Sequence, residues 1–441
     1  MNFMKNNYYF FLTIFFLNII GTIFSIKNNE LFSEEDIIYT IKTDNESEFR
    51  NAVEKLNNIG GIILIDTPII NINLDLTIEI GGTIEGGIIG KKQINDEYPI
   101  INFKNVRDAF KPNTISKGMI SITGTNKFLK YLIIEKSACY GINISGKKTT
   151  LDHIITRYNS FPGISLYKSE DTTLNYCYSY RNLGKYSYGE LGAGFAIDLG
   201  TSINTIFNYC YAWDNSNDGF LTFSHAQAKK LENLSLFHSA CWNNGNLDIF
   251  TGKYDYDLGK PLDKNLWSIE DIINSDENFE SNYKNKTFNI NNAKIIGENV
   301  NEWIVKANGN IDGNGFEFGW KTASNIQNSQ RIGDYLISFD NKNSGFINKN
   351  GQKCLASFTN NVGFNNNINY QLTLNFEKWS NNWSWGDTKN SQTELDFKKP
   401  NNINSAQKLF YSVRDQMINT ISSNKFNDNL SFDYAIKNLK N

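Results

Sequence analysis

The chain has 441 residues, 40% of them hydrophobic and 20% charged, which excludes a disordered protein and fits either a few ordinary domains or one elongated repeat array. Lys and Arg number 43 against 46 Asp and Glu, a net charge of −3. That balance excludes the basic footprint of a nucleic-acid binder or of a protein drawn to an anionic membrane.

In chain order, Lys5 precedes an apolar run from Tyr8 to Ile20 and the small or uncharged stretch Gly21 to Ser25. This reads as a secretory signal, residues 1–25, cut near Ser25, because the run is too short to span a membrane. The mature chain is expected to be extracellular and monomeric, with no membrane contact after cleavage. From Ser47, apolar residues at Phe49, Ala52, Val53 and Leu56 follow a helical period and stop at Gly60-Gly61, which predicts a short amphipathic helix over 47–60. Short β-branched runs then begin, such as Ile62 to Ile65 and Ile69 to Ile72, broken by Asn, Asp and Gly.

The middle of the chain repeats. A Gly followed by an apolar pair recurs at Gly141, Gly163, Gly194, Gly219, Gly315 and Gly345, at intervals of 22, 31, 25, 96 and 30 residues. Four intervals match one coil of a β-solenoid, and the long one is expected to hold a further coil near Cys241 plus an insertion over 247–308. Asn159, Asn215 and Asn341 stand four residues before such a Gly, where side-chain amides would stack along an axis. Cys177, Cys210 and Cys241, spaced by 33 and 31 residues, suggest equivalent buried positions. Five cysteines are too few and too scattered for a disulfide scaffold. His153, His225 and His238 have no paired metal-ligand spacing and read as turn or surface residues. The expected architecture is an all-β parallel solenoid over 26–385, capped by the helix, with a helical tail over 386–441 packing on the last coils.

Four motifs carry a resemblance: Leu191 to Gly200, Cys210 to Phe220, Gly313 to Gly319, and Phe339 to Phe346. In order and spacing, from about Gly60 to Asn367, they resemble the right-handed parallel β-helix pectate lyases of polysaccharide lyase family 9. The resemblance implies a secreted enzyme that cleaves polygalacturonate or pectin by β-elimination, with calcium held by aspartates and a lysine as base. Its partner would be a plant cell-wall or other extracellular polysaccharide.

Several positions depart from the family pattern. Ala193 and Leu221 stand where acidic residues are expected, leaving Asp218 and the neutral Asn217 as metal candidates. Glu317 stands at the catalytic lysine's place, with Lys321 four residues on. Asp198 replaces a commonly basic residue, so Asp198 and Glu317, with or without Asp218, form a candidate carboxylate pair for hydrolysis of a less charged glycan. A catalytically silent carbohydrate-binding or structural solenoid is the other alternative. Trp213 and Trp320, with Lys321, are the substrate-binding candidates. Trp379, Trp383 and Trp385 form a second candidate sugar platform, and Tyr254, Tyr256 and Trp267 a groove wall.

Overall fold

The computed structural model describes residues 36–109, 118–184, 189–198, 202–223, 233–251, 311–319, 329–348, 354–389 and 395–439. The expected signal sequence, most of the expected insertion, His225, Trp320 and Lys321 lie outside them. Among the described residues, those from Tyr39 onward belong to one compact unit.

This unit is a stack of coils, most built from three short strands; in two coils the single longer strands Lys127–Glu135 and Thr150–Arg157 serve as both first and second. Ile203–Asn208, Tyr211–Trp213 and Phe220–Phe223 make one coil; Asn233–Phe237, Ala240–Trp242 and Phe316–Glu317 make the next. Third strands form a nine-stranded sheet, and the first and second strands belong to a 19-stranded one. The pairings between coils are parallel and in register, so Phe195, Phe220, Phe316 and Phe346 stack inside with ring centroids 4.7 to 5.4 Å apart. Each coil thereby satisfies the next one's backbone and covers its apolar interior.

Phe220 pairs directly with Phe316. The long interval is therefore one coil, opened between its second and third strands, and the Cys241 strand belongs to the same coil as Gly315. Cys210 N donates to Ser239 Oγ at 3.1 Å, while Cys241 pairs with Ala212 and Ser338. Cys241 is thus offset by two residues from Cys177 and Cys210, and the similar spacing reflected coil length only. All five cysteines are buried free thiols.

The asparagine stacking is longer than the repeat suggested. Side-chain amides run Asn159, Asn182, Asn215, Asn244, Asn341, Asn366, each Nδ2 donating to the next Oδ1 at 2.9 to 3.0 Å. Each Oδ1 from Asn182 onward also accepts the preceding member's backbone N–H. Just before these asparagines, Arg181, Asp214, Asn243, Asp340 and Asn365 turn the chain at φ of 52° to 56°.

The other corner turns at Tyr131, His153, Tyr176, Tyr209, His238 and Tyr335, also left-handed at 50° to 57°. A left-handed residue with a Cβ costs about 1–2 kcal/mol, which argues for Asn or Gly. Here the rings stack face to face at 4.7 to 5.1 Å, and stacking offsets that cost.

A helix at Glu46–Ile59 covers the first coils, with Asn45 as its cap, its Oδ1 accepting the Glu48 N–H. Its buried face is Phe49, Ala52, Val53 and Leu56, and Asn57 bonds Glu79 O and Gly81 N at 2.8 Å. Helices Ile403–Ser422 and Asp433–Asn438 pack on the second-strand face from Ile133 to Trp385. The tail therefore lies along most of the solenoid rather than on its last coils. No described helix is long and apolar enough to cross a membrane.

Candidate functional site

On the nine-stranded sheet, side chains alternate between core and outer face. The outer positions Glu79, Ser121, Asn143, Ser165, Ala196 and Leu221 are in register. Glu317, Ile347 and Gln371 continue the row, since Phe220 pairs with Phe316 one residue earlier. Glu317 is nonetheless only 2% exposed.

The turn entering these strands supplies the other acidic groups. It runs Asn217-Asp218-Gly219 in one coil, Asp312-Gly313-Asn314-Gly315 in the next and Asn343-Ser344-Gly345 in the third. Asp218 Oδ1 accepts Asn314 N–H at 2.6 Å, Asn217 Oδ1 accepts Asp312 N–H at 2.8 Å, and Asn314 Oδ1 accepts Ser344 N–H at 3.1 Å. These bonds fix the turns in register and hold Asp218, 0% exposed, beside Asp312. Carboxylate oxygens of Asp218, Asp312 and Glu317 lie within 4.8 Å of one another.

Glycines make the close approach of these turns feasible. Gly245 and Gly313 have φ of 79° and 67°, and a Cβ on Gly245 would stand 2.5 Å from Gly313 Cα. The Lys342 stem packs against the same pair, its Cβ 2.9 to 3.0 Å from where their Cβ atoms would be. Partial burial holds the Lys342 ammonium below its ordinary pKa.

The structure thus brings Glu317 to Asp218 and adds Asp312. Asp312 is absent from the sequence-based candidates, although its place one residue before the Gly313-Asn314-Gly315 turn, aligned with Asn217-Asp218-Gly219, is the signal that would have found it. Asp198 ends its strand opposite Phe223, two positions along the sheet from Leu221 and two strands from Glu317. Strand spacings of about 4.8 Å and 3.3 Å per residue put their backbones roughly 12 Å apart.

Trp213 also departs from expectation. It is 1% exposed, stacked between Tyr180 and Trp242 at 4.4 and 4.9 Å, in the wall the C-terminal helices cover. Trp242, Trp383 and Trp385 are buried in the same wall. A sugar cannot reach them there. Trp379 alone of the second platform stays half-buried, its Nε1 donating to Asp396 O at 2.9 Å.

The donor set suits a hard cation. Calcium takes six to eight oxygens, mostly from carboxylates and carbonyls. Two carboxylates expected from the resemblance are missing, at Ala193 and Leu221, and two others, Asp312 and Glu317, stand beside Asp218. Of the expected metal ligands, Asp218 is in the group, while Asn217 acts through its bond to Asp312 N.

The fold is a right-handed parallel β-helix of pectate lyase-like architecture. Residues 40–255 match the family model described as Pel9A-like, right handed beta helix region. Among solved structures, pectate lyase Pel9A is 16% identical, covering 82% of this chain and 79% of that one at a TM-score of 0.54. A rhamnogalacturonan lyase is 14% identical, covering 74% and 75% at 0.43. An alginate lyase from Paenibacillus sp. str. FPU-7 is 10% identical, covering 81% and 99% at 0.42. At 16% identity the likeness to pectate lyase Pel9A is one of fold. No curated protein sequence matches.

Proposed function

We propose that this β-helix is a secreted protein, with residues 1–25 as its signal, that cleaves an acidic extracellular polysaccharide of the polygalacturonate type by β-elimination. The observation that carries this reading is the convergence of Asp218, Asp312 and Glu317 on the outer face of the sheet. Calcium held by these three residues would supply positive charge for a uronate carboxylate and make the neighbouring ring proton more acidic. Asn217 and Asn314 fix the turns that present the carboxylates. Glu317 serves as a ligand in this reading rather than as the base. Its ordinary pKa, about 4.3, is too low to take a carbon-bound proton efficiently.

The base in this reading is the Lys342 Nζ. Its stem flanks the Asp312 turn, and burial lowers its proton affinity in the direction that leaves more free amine near neutral pH. The test is the ultraviolet absorbance of unsaturated uronate ends released from polygalacturonate, with calcium and with chelator. Absorbance only with calcium supports the reading, and its absence from folded protein sinks it.

A second reading rests on the short separation of Glu317 and Asp218. Their carboxylate oxygens lie within 4.8 Å, on the short side that retaining rather than inverting glycoside hydrolases use, about 5–5.5 Å between carboxyl groups. New reducing ends without ultraviolet absorbance, unaffected by chelator, would favour it.

A further inference from the structure

The corner between first and second strands carries a continuous column of rings, and both histidines among the described residues are in it. His153 is stacked between Tyr131 and Tyr176 at 4.7 and 4.8 Å, and His238 between Tyr209 and Tyr335 at 4.7 and 5.1 Å. The connection between the two C-terminal helices crosses this column. Tyr98 N donates to Asn424 O at 3.0 Å. Phe426 meets the rings of Tyr98 and His153 edge-on at 5.1 Å. Two imidazole–carboxylate contacts complete the crossing. His153 Nε2 lies 2.7 Å from Asp428 Oδ1, and His238 Nδ1 lies 2.9 Å from Asp433 Oδ1, with Tyr209 Oη 3.4 Å from the other Asp433 oxygen.

His153 differs from an ordinary paired histidine, because its second nitrogen, Nδ1, faces Asp152 Oδ1 at 2.7 Å. A neutral imidazole has one N–H and satisfies only one of these carboxylates; the other would then face a lone pair. Only the imidazolium donates to both. We infer that the segment from Asn424 to Phe432 is a strap locked onto the solenoid by the His153 imidazolium, and that it opens when His153 loses its proton. The helices themselves stay docked, since Phe410, Met417 and Ile421 bury their side chains independently of the clamp.

The pH window follows from the groups around the ring. Burial favours neutral His153, but the hydrogen bonds and charges of Asp152 and Asp428 outweigh it and push the pKa up to about 9. The His153 hydrogen bond in turn holds the Asp428 carboxyl below its usual range. Burial, with the nearby carboxylates, pushes the flanking phenols of Tyr131 and Tyr176 up to about 12, and Tyr98 also rises. Of these groups around the ring, His153 is the one whose titration falls between neutral pH and 10. A raised histidine pKa means the lock is fully present below the ordinary imidazole value, near 6.5, and is lost as pH rises through about 9. On the acid side the lock is lost as Asp428 takes up a proton.

The test is trypsin cleavage of the Lys425–Phe426 bond in the full chain, at pH 7.5 and pH 10, each rate divided by that of an unstructured peptide with the same bond. The wild-type ratio should rise roughly tenfold or more. His153→Gln and Asp428→Asn should both cleave fast at pH 7.5 and lose the pH dependence, and either variant suffices if the other does not fold. A flat wild-type ratio, or a pH dependence retained in a folded variant, overturns the inference.

Discussion

The Asn215 amide donates to Asn244 Oδ1 at 3.0 Å, while Asn215 Oδ1 accepts both the backbone and the side-chain N–H of Asn182 at 3.1 and 2.9 Å. One buried side chain thus joins three coils. Asn215→Ala strands the Asn182 donors and the Ser179 carbonyl that Asn215 Nδ2 also reaches. Each buried polar group left unmet costs about 1–3 kcal/mol, so denaturant unfolding should show a loss of about 2–4 kcal/mol. Asn233→Ala, in the surface pair with Asn204, should change stability by less than about 0.5 kcal/mol.

The carboxylate group makes a prediction about metal. If Asp218, Asp312 and Glu317 hold calcium, a hundredfold excess over the dissociation constant should stabilise the chain by about 2.7 kcal/mol, read as a rise in Tm. Glu317→Gln and Asp312→Asn should each remove most of that rise. In chelator, Glu317→Gln should be no less stable than wild type, because it relieves repulsion among carboxylates within 4.8 Å. A variant with a full calcium response would end the assignment.

Much of the fold was legible because a solenoid repeats its constraints. The middle coils share a Gly before the third strand and an amide at the corner, so Gly163, Gly194 and Gly219, with Asn159 and Asn215, announce the period. Asn182 and Asn244 escaped because residues between them and the following Gly lengthen the turn, breaking the four-residue spacing. The acidic group was half legible. Glu317 and Asp218 stand at motif positions, whereas Asp312 emerges only when the Gly313-Asn314-Gly315 turn is set against Asn217-Asp218-Gly219, the alignment that the pairing of Phe220 with Phe316 fixes. Trp213 was misread for a related reason. It shares one buried cluster with Phe410, Phe432 and other apolar residues of the tail, roughly 200 residues later in the sequence, and aromatic composition alone does not distinguish a buried wall from a sugar platform.

Lys342 separates binding from chemistry. As a general base it should contribute about 10²- to 10⁴-fold to kcat, so Lys342→Ala should lose at least a hundredfold in ultraviolet-detected turnover. The calcium-induced rise in Tm should survive, because the side chain supplies no oxygen. Full activity in Lys342→Ala would require a different base.

Trp213→Ala should act through packing. Removing a fully buried aromatic side chain costs about 3–5 kcal/mol, and the stack from Tyr180 to Trp242 loses its middle member. Unfolding should reveal that loss, with KM for polysaccharide unchanged in the folded fraction. A raised KM at unchanged stability would put Trp213 back in the groove.

Glu135 gives a pH dependence of the ordinary carboxylate sign. Its side chain is buried between Arg157 Nε and Lys136 Nζ, both 2.8 Å away. Burial alone would raise its pKa, but the two cations together outweigh burial and hold it low. The native state therefore binds fewer protons than the unfolded chain. Its stabilisation is complete above the ordinary glutamate value, near 4.3, and is lost as pH falls through the lower native value. Glu135→Gln leaves Arg157, which also bonds Tyr180 Oη at 3.0 Å, without its carboxylate, at a cost of about 3–5 kcal/mol near neutral pH. Denaturant midpoints at pH 7 and pH 3 should show the wild-type advantage shrinking on acidification. A constant difference would mean the pair contributes shape rather than charge.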